Sequence, residues 1–223
     1  MRKLEGKVAV ITGASKGIGE GIAKVYAKYG AKLVLAARGA RGLEFAEELR
    51  AAGYEAIGVR TDVTNKESVL NLVKQALDTY GTIDVLVNNA GVCVLGDLLS
   101  TSDEDRDYHI DINIKGVWNV TRAIAPIMMA KREGKIVVMS SVTGDMVADP
   151  GEAAYAMSKA ALVGFTKAVA REMADYNITV NAICPGYVRT PMVEGMAKQS
   201  CPENPESVID GIAAGVPLKR LAR

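Results

Sequence analysis

The chain has 223 residues, of which 49% are hydrophobic, so it can bury the core of one domain. Its 27 Lys and Arg residues nearly balance 26 Asp and Glu residues, and the formal net charge of +1 excludes the basic surface that nucleic acid or an anionic membrane requires. No apolar stretch is long enough to span a bilayer and the N-terminus leads directly into a strand, which predicts a cytoplasmic protein of one domain, residues 1–223, that acts on a small molecule.

The first predicted elements are a strand, a glycine turn and a helix. A β-branched run at residues 7–12 leads into TGASKGIG, after which apolar residues recur at helical spacing. The glycines let the backbone turn tightly and approach a pyrophosphate, whose charge the helix N-terminus stabilises. The candidate residues of this dinucleotide site are Gly13, Ser15, Lys16, Gly17, Ile18 and Gly19. The alternative is a tight turn that holds no ligand.

The end of the second predicted strand, residues 31–37, indicates which dinucleotide would bind. A dinucleotide fold usually presents an acid there to the adenosine ribose, whereas this chain has Ala37 followed by Arg38. With Lys16 in the glycine turn, two cations would face the 2′-phosphate, which favours NADP(H) over NAD(H). The alternative is that both cations are only solvated, as most surface Lys and Arg side chains are.

The rest of the chain continues to alternate strands with helices, which predicts a parallel sheet. Helices are predicted at residues 41–52, 69–80, 103–129 and 155–173, and strands at residues 54–60, 83–87, 136–139 and 178–183. The helices at 103–129 and 155–173 are apolar on more than one side, so we expect another subunit to cover them. After Pro185 and Gly186 a loop is predicted that runs to the end, with a substrate lid at about 187–217.

Tyr155 and Lys159 form the pattern that points most directly to catalysis. Their four-residue spacing places both on one helix face, where the ammonium of Lys159 would favour the ionised phenol. Ser141, after the strand at 136–139, would place a hydroxyl beside that phenol and polarise a substrate carbonyl. The pattern predicts proton transfer by Tyr155. The alternative is a packed aromatic ring beside a solvated amine.

Asparagines occur at two further positions of interest. The NNAG segment at residues 88–91 would bond across strand ends and leave room for a ribose, and its alternative is a polar turn. Asn113 interrupts an apolar helix, and its alternative is a satisfied structural amide.

Cysteine and histidine usage argues against a disulfide framework and a metal site. Cys93, Cys184 and Cys201 are odd in number and widely spaced, which fits reduced thiols. The single histidine, His109, has no Cys or carboxylate cluster at ligand spacing, so we expect a helix residue without chemistry and no bound metal.

The chain carries a set of motifs in order: TGASKGIG, NNAG, Asn113, Ser141, YAMSK and ICPGYVRTP. In that order they resemble the short-chain dehydrogenase/reductase family over essentially the whole chain. The resemblance implies an α/β fold with a doubly wound parallel sheet (Rossmann), strand order 3-2-1-4-5-6. Family members usually continue past the equivalent of Leu221 with a helix and a seventh strand, so either this sheet has six strands or the sequence given omits a tail.

The resemblance also implies roles for residues. Tyr155 would be the general acid/base, Ser141 would orient the carbonyl, and Asn113 would anchor a proton-relay water. Lys159 would hold the nicotinamide ribose and lower the pKa of Tyr155. The further residues implied to contact the cofactor are Asp62, Val63, Asn89, Ala90, Gly91, Tyr155, Lys159, Pro185, Gly186, Val188 and Thr190.

The expected function is hydride transfer between NADP(H), or NAD(H) as the second option, and a carbonyl or alcohol substrate, in a homodimer or homotetramer. The expected pocket walls are mainly apolar: Cys93, Val142, Met146, Val147, Tyr187, Met192 and Met196. One alternative is a dinucleotide-sensing binding protein without turnover. Another is an epimerase or dehydratase on the same fold.

Overall fold

Six parallel strands form the centre of the computed structural model, which describes residues 3–222. The strands are β1 (Val8–Thr12), β2 (Lys32–Ala37), β3 (Ala56–Arg60), β4 (Val85–Asn88), β5 (Gly134–Met139) and β6 (Ile178–Ile183). They lie in the order β3-β2-β1-β4-β5-β6, which confirms the predicted doubly wound sheet. Because every pair is parallel, the carboxyl ends of all six strands meet at one edge.

Helices cover both faces of this sheet. They are α1 (Gly17–Lys28), α2 (Arg41–Ala51), α3 (Lys66–Tyr80), α4 (Asp103–His109), α5 (Gly116–Lys131), α6 (Val142–Asp145), α7 (Ala153–Met173), α8 (Pro191–Ser200) and α9 (Pro205–Gly215). A π-helical segment, Ile110–Lys115, joins α4 to α5, and a 3₁₀ turn, Ala174–Tyr176, follows α7. No helix within residues 3–222 is long and apolar enough to cross a membrane.

The alternation of side chains along β1 divides the core into two layers. Val8 and Val10 join the cluster formed with α3, α5 and α7, whereas Ala9 and Ile11 join the cluster formed with α1 and α2. All five residues of β1 are buried, as expected for a central strand of a parallel sheet that is covered on both faces. This double cover leaves the strand ends as the place where polar side chains can reach solvent.

The prediction of a single helix at residues 103–129 is wrong in one respect. The chain is helical from Asp103 to Lys131, but the segment Ile110–Lys115 is a π-helix. Such segments are rare and often lie at functional sites. Here the segment contains Asn113.

The prediction of a loop after Gly186 is also wrong, because two helices form there. Helix α8 has Pro191 in its first turn and Thr190 as N-cap, whose hydroxyl accepts a hydrogen bond from the backbone of Val193. Helix α9 repeats this arrangement with Pro205 and the N-cap Asn204. The two helices pack against each other around a small apolar cluster, so the predicted lid region is built from two packed helices.

Candidate active site

A cavity of about 370 Å³ lies at the carboxyl ends of the strands, beside the β1–β4 pair where the strand order reverses. Most of the predicted cofactor residues line it: Gly13, Ser15, Lys16, Gly17, Ile18, Arg38, Asp62, Val63, Asn89, Ala90, Gly91, Tyr155, Lys159, Pro185 and Thr190. Ser141, Gly186 and Val188 line a neighbouring cavity of about 100 Å³. Gly19 and Asn113 line neither of these two cavities.

The glycine turn has the backbone geometry that its sequence predicts. Gly13 and Gly17 have φ angles of +64° and +60°, which side-chain-bearing residues rarely adopt. Gly19 has a different reason to be glycine, because a Cβ there would overlap the carbonyl oxygen of Gly13 and the side-chain amide of Asn89. Gly19 therefore permits close packing of the turn rather than lining the cavity.

The NNAG segment bonds across the ends of β1 and β4. The side-chain amide of Asn89 donates to the carbonyls of Thr12 (3.0 Å) and Gly13 (3.1 Å). In return the Thr12 hydroxyl accepts from the backbone amides of Asn89 and Ala90, both at 3.0 Å. Thr12 was missed by the sequence analysis, although it ends a buried strand and begins the glycine motif. These bonds fix the glycine turn to the neighbouring strand end.

Three cations lie near the end of β2. Ala37 is buried and pairs in register with Arg60 of β3, whose Nε donates to the carbonyl of Arg38 at 3.0 Å. The exposed Arg38 donates to the phenol of Tyr108 at 3.3 Å. Lys16 is exposed on the same cavity. Lys16 and Arg38 were predicted from the sequence, whereas Arg60 and Tyr108 were not, because strand register and a contact 70 residues away cannot be read from spacing.

Lys159 is the buried cation of the site, with 5% of its surface exposed. Its Nζ lies 5.6 Å from the centroid of the Tyr155 ring and donates to the carbonyl of Met139 at 2.9 Å. The hydroxyl of Ser140 donates to the carbonyl of Lys159 at 2.8 Å and so fixes α7 to the end of β5. Burial lowers the pKa of Lys159 to about 8, so the ammonium form predominates at neutral pH.

Tyr155 lines both cavities and lies between them. The hydroxyl of Ser141 accepts from the backbone of Thr143 at 3.1 Å, and its interaction with Tyr155 lowers the pKa of the phenol. Burial is the larger effect and raises the pKa of Tyr155 to about 12. The shift is therefore opposite to the one expected from the spacing of Tyr155 and Lys159, because loss of water around the phenol outweighs the favourable contacts.

Asn113 uses its whole side chain for local contacts. Its Oδ1 accepts from the backbone of Val92 at 2.8 Å, and its Nδ2 donates to the Val92 carbonyl (3.0 Å) and to the hydroxyl of Ser158 (2.9 Å). These bonds connect the loop after β4 to the π-helical segment and to α7. The amide is a satisfied structural group, as the alternative interpretation held, while its expected relay water stays a prediction.

His109 connects α4 to the loop after β4. Its Nδ1 donates to the carbonyl of Asp105 (2.7 Å) and its Nε2 accepts from the backbone of Val94 (3.1 Å), so the two contacts together require the neutral ring with its proton on Nδ1. The fully buried ring packs edge-on against Tyr155, with centroids 6.3 Å apart. His109 thus positions the tyrosine ring, a role that the sequence analysis did not predict.

The smaller cavity adjoins Tyr155 and shares Ile18 and Tyr155 with the larger one. Five expected walls line it: Cys93, Val142, Tyr187, Met192 and Met196. The expected walls Met146 and Val147 do not line it; they follow the short helix α6 and are exposed. Thr143 and Glu152 line it instead, so the pocket contains a carboxylate that the sequence analysis missed.

Comparison with known proteins agrees with this geometry. The family model described as short chain dehydrogenase matches residues 7–200. Oxidoreductase UcpA of Salmonella typhimurium is 59% identical over 100% of this chain and 84% of its own length, and the 3-oxoacyl-[acyl-carrier-protein] reductase FabG of Thermotoga maritima is 37% identical over 99% and 87%. A crystal structure of levodione reductase superposes with a TM-score of 0.94 at 32% identity, over 99% and 86% of the two chains. These matches confirm the resemblance read from the motifs.

Proposed function

Because the chain belongs to the short chain dehydrogenase family, we propose that it is an NADP(H)-preferring oxidoreductase that interconverts a small carbonyl compound and its alcohol. One observation carries the proposal: Tyr155 lies between a large cavity with a glycine turn and a small cavity with mainly apolar walls. A proton donor at that boundary can serve a substrate in one cavity and a cofactor in the other. Two of the matched proteins are named as reductases.

The larger cavity fits a nicotinamide dinucleotide in the chemistry of its walls. The glycine turn brings backbone amides and the N-terminus of α1 to a place where a pyrophosphate would be stabilised. Lys16 and Arg38 would bind the 2′-phosphate, and Lys159 would bind the ribose next to the nicotinamide. Pro185, Gly186, Val188 and Thr190 would hold the carboxamide. A nicotinamide bound there supplies hydride in reduction or accepts it in oxidation.

The protein's own contribution is to orient the carbonyl and to move one proton. With a pKa of about 12, Tyr155 is protonated at neutral pH and is poised to donate to the oxygen on which charge develops. Ser141 would donate a hydrogen bond to the same oxygen. Lys159, cationic at neutral pH, would stabilise the phenolate left after transfer, and a water bound near Asn113 would return the proton.

The surface of α5 and α7 supports a homodimer or homotetramer. Trp118 of α5 is 54% exposed and its ring lies 6.0 Å from that of Phe165 on α7, and Met157 of α7 is also exposed. Large apolar side chains exposed on two helices suit a two-fold interface.

The balanced charge and small-molecule chemistry support a cytoplasmic location.

The direct test follows NADPH oxidation with a panel of ketones, aldehydes and quinones, for the parent and for Tyr155→Phe. We expect turnover with at least one compound, and a loss of about 10²- to 10⁴-fold in kcat for the variant, since only the proton donor is removed. NADPH binding, followed by fluorescence titration, should persist in both. Variant activity within twofold of the parent would contradict the role of Tyr155.

The same assay separates the alternatives. NADPH binding without turnover across the panel would favour a dinucleotide-sensing protein. Conversion of a substrate with no net change in NADPH absorbance would favour an epimerase or dehydratase.

A further inference from the structure

Glu152 is a buried carboxylate in the smaller cavity. It precedes the first turn of α7 and is 6% exposed. Thr143 hydrogen-bonds the carboxylate, but no group within residues 3–222 donates to its buried Oε2. An unpaired acceptor removed from water destabilises a fold, so such groups are rare without a functional reason.

The surroundings of Glu152 offer it no cation. Within the described chain the cavity has no Lys, Arg or His in its wall, and its polar members are hydroxyls, a thiol and this carboxylate. Burial is the main cause that raises the pKa of Tyr155, Tyr187 and Cys93, and the charge of Glu152 adds to each rise, so it acts on three groups of the same pocket. Burial in turn raises the pKa of Glu152 itself. The Tyr187 hydroxyl, a donor in the same wall, is already bonded to Asp149 at 2.6 Å.

The placement of Glu152 relates it to the reacting atoms. It is the N-cap residue of α7, three residues before Tyr155, and both residues line the smaller cavity. A substrate whose carbonyl oxygen is bonded to Tyr155 would therefore present its adjacent carbons toward Glu152. With about 100 Å³ available, that substrate is small.

We propose that Glu152 is a specificity-determining residue whose free oxygen accepts a hydrogen bond from a hydroxyl group close to the reacting carbonyl. The preferred substrates are then small hydroxyketones and the corresponding diols. Simple ketones leave the carboxylate unpaired, and substrates with a carboxylate of their own are repelled by it. This inference rests on the proposed carbonyl–alcohol chemistry of the site.

The kinetic test uses matched pairs: hydroxyacetone against acetone, and 3-hydroxybutan-2-one against butan-2-one, each with NADPH. A hydrogen bond to a charged group corresponds to about 10- to 100-fold, so the parent should favour the hydroxylated member by that ratio in kcat/KM. Glu152→Ala should bring the ratio to about one, because the hydroxyketone loses more in kcat/KM than the plain ketone does. Glu152→Gln keeps an acceptor oxygen and should retain part of the preference. Glu172→Gln, at the exposed far end of α7, is the matched control and should leave the ratio unchanged.

A second measurement works without turnover. Propane-1,2-diol should raise the melting temperature of the parent more than propan-2-ol does, and Glu152→Ala should abolish that difference. If the parent and Glu152→Ala both reduce ketones, with the same kcat/KM ratio of hydroxyketone to plain ketone, this inference is overturned and the proposed function stands. A diol-specific thermal shift without NADPH oxidation would support the binding role of Glu152 and overturn the proposed function. Preference for aminoacetone over hydroxyacetone would overturn the assignment of a hydroxyl.

Discussion

Replacement of Arg38 by Ala tests the proposed cofactor preference at one side chain. Arg38 is exposed at the large cavity, its guanidinium donates to Tyr108, and it forms no ion pair with a carboxylate in residues 3–222. Its charge is therefore available to a 2′-phosphate. A hydrogen bond to a charged group contributes about 1.5–3 kcal/mol, and exposure favours the lower end of that range.

The expected result is a loss of about tenfold in NADPH affinity for Arg38→Ala, with NADH affinity unchanged within twofold. Arg60→Ala should have a smaller effect, because Arg60 contacts the backbone of Arg38 and does not line the cavity. The double variant Ala37→Asp with Arg38→Ala should prefer NADH, since the new carboxylate would bond ribose hydroxyls and repel the phosphate.

The assay is fluorescence titration of both cofactors at fixed ionic strength. Arg122→Ala, an exposed arginine on α5, is the matched control and should alter neither affinity. Circular dichroism must accompany the Ala37→Asp variant, because the methyl of Ala37 lies close to Gly42 of α2. Equal affinity of the parent for NADH and NADPH, or equal losses of both in Arg38→Ala, would refute the reasoning and leave these cations as solvated charges.

Two further predictions concern stability and assembly. The pKa of Lys159 falls from 10.5 to about 8 on folding. Between pH 8 and 10 the unfolded chain therefore holds a proton that the folded protein lacks. Across that range this residue should raise the free energy of unfolding by about 2 kcal/mol. Other buried groups titrate over the same range, so the measured quantity is the difference in free energy of unfolding between the parent and Lys159→Met in urea, which should rise by that amount from pH 8 to pH 10. The exposed control Lys167→Met should follow the parent, and a difference that stays constant with pH would contradict the prediction. Light scattering at micromolar concentration should give at least a dimeric mass, and Trp118→Asp should lower that mass while circular dichroism stays unchanged. A monomeric parent with an intact fold would refute the proposed interface.

The sheet could be predicted from the sequence because its signals are local. The glycine turn, the apolar runs and the helical periodicities each lie within about 15 residues, and parallel connections leave few topologies open. The caps of α8 and α9 were local signals too, since Thr190 and Asn204 each precede a proline. Their helices could have been predicted from those pairs, whereas the composition of the segment suggested a loop.

The features that could not be predicted depend on distant contacts. Within the π-helical segment Asn113 bonds both Val92 and Ser158, which are distant in sequence, and the contact of His109 with Tyr155 requires α4 to pack on α7. The burial of Glu152 likewise depends on Thr143 and on a loop before α7. Sequence spacing can identify a reactive residue type, but desolvation is set by everything packed around it, which is why the direction of the Tyr155 pKa shift was misjudged.

Two buried ionisable side chains, one at the N-cap of α7 and one within the helix, destabilise this fold. Lys159 and Glu152 are both buried. Burial lowers the pKa of Lys159 and raises that of Glu152, and both shifts favour the neutral form. They face different cavities and do not form an ion pair with each other, so neither relieves the other's desolvation. A core built for stability alone would pair or replace them. That both remain near Tyr155, each at a different cavity, supports the two proposals that each has a ligand partner, a ribose for Lys159 and a substrate hydroxyl for Glu152.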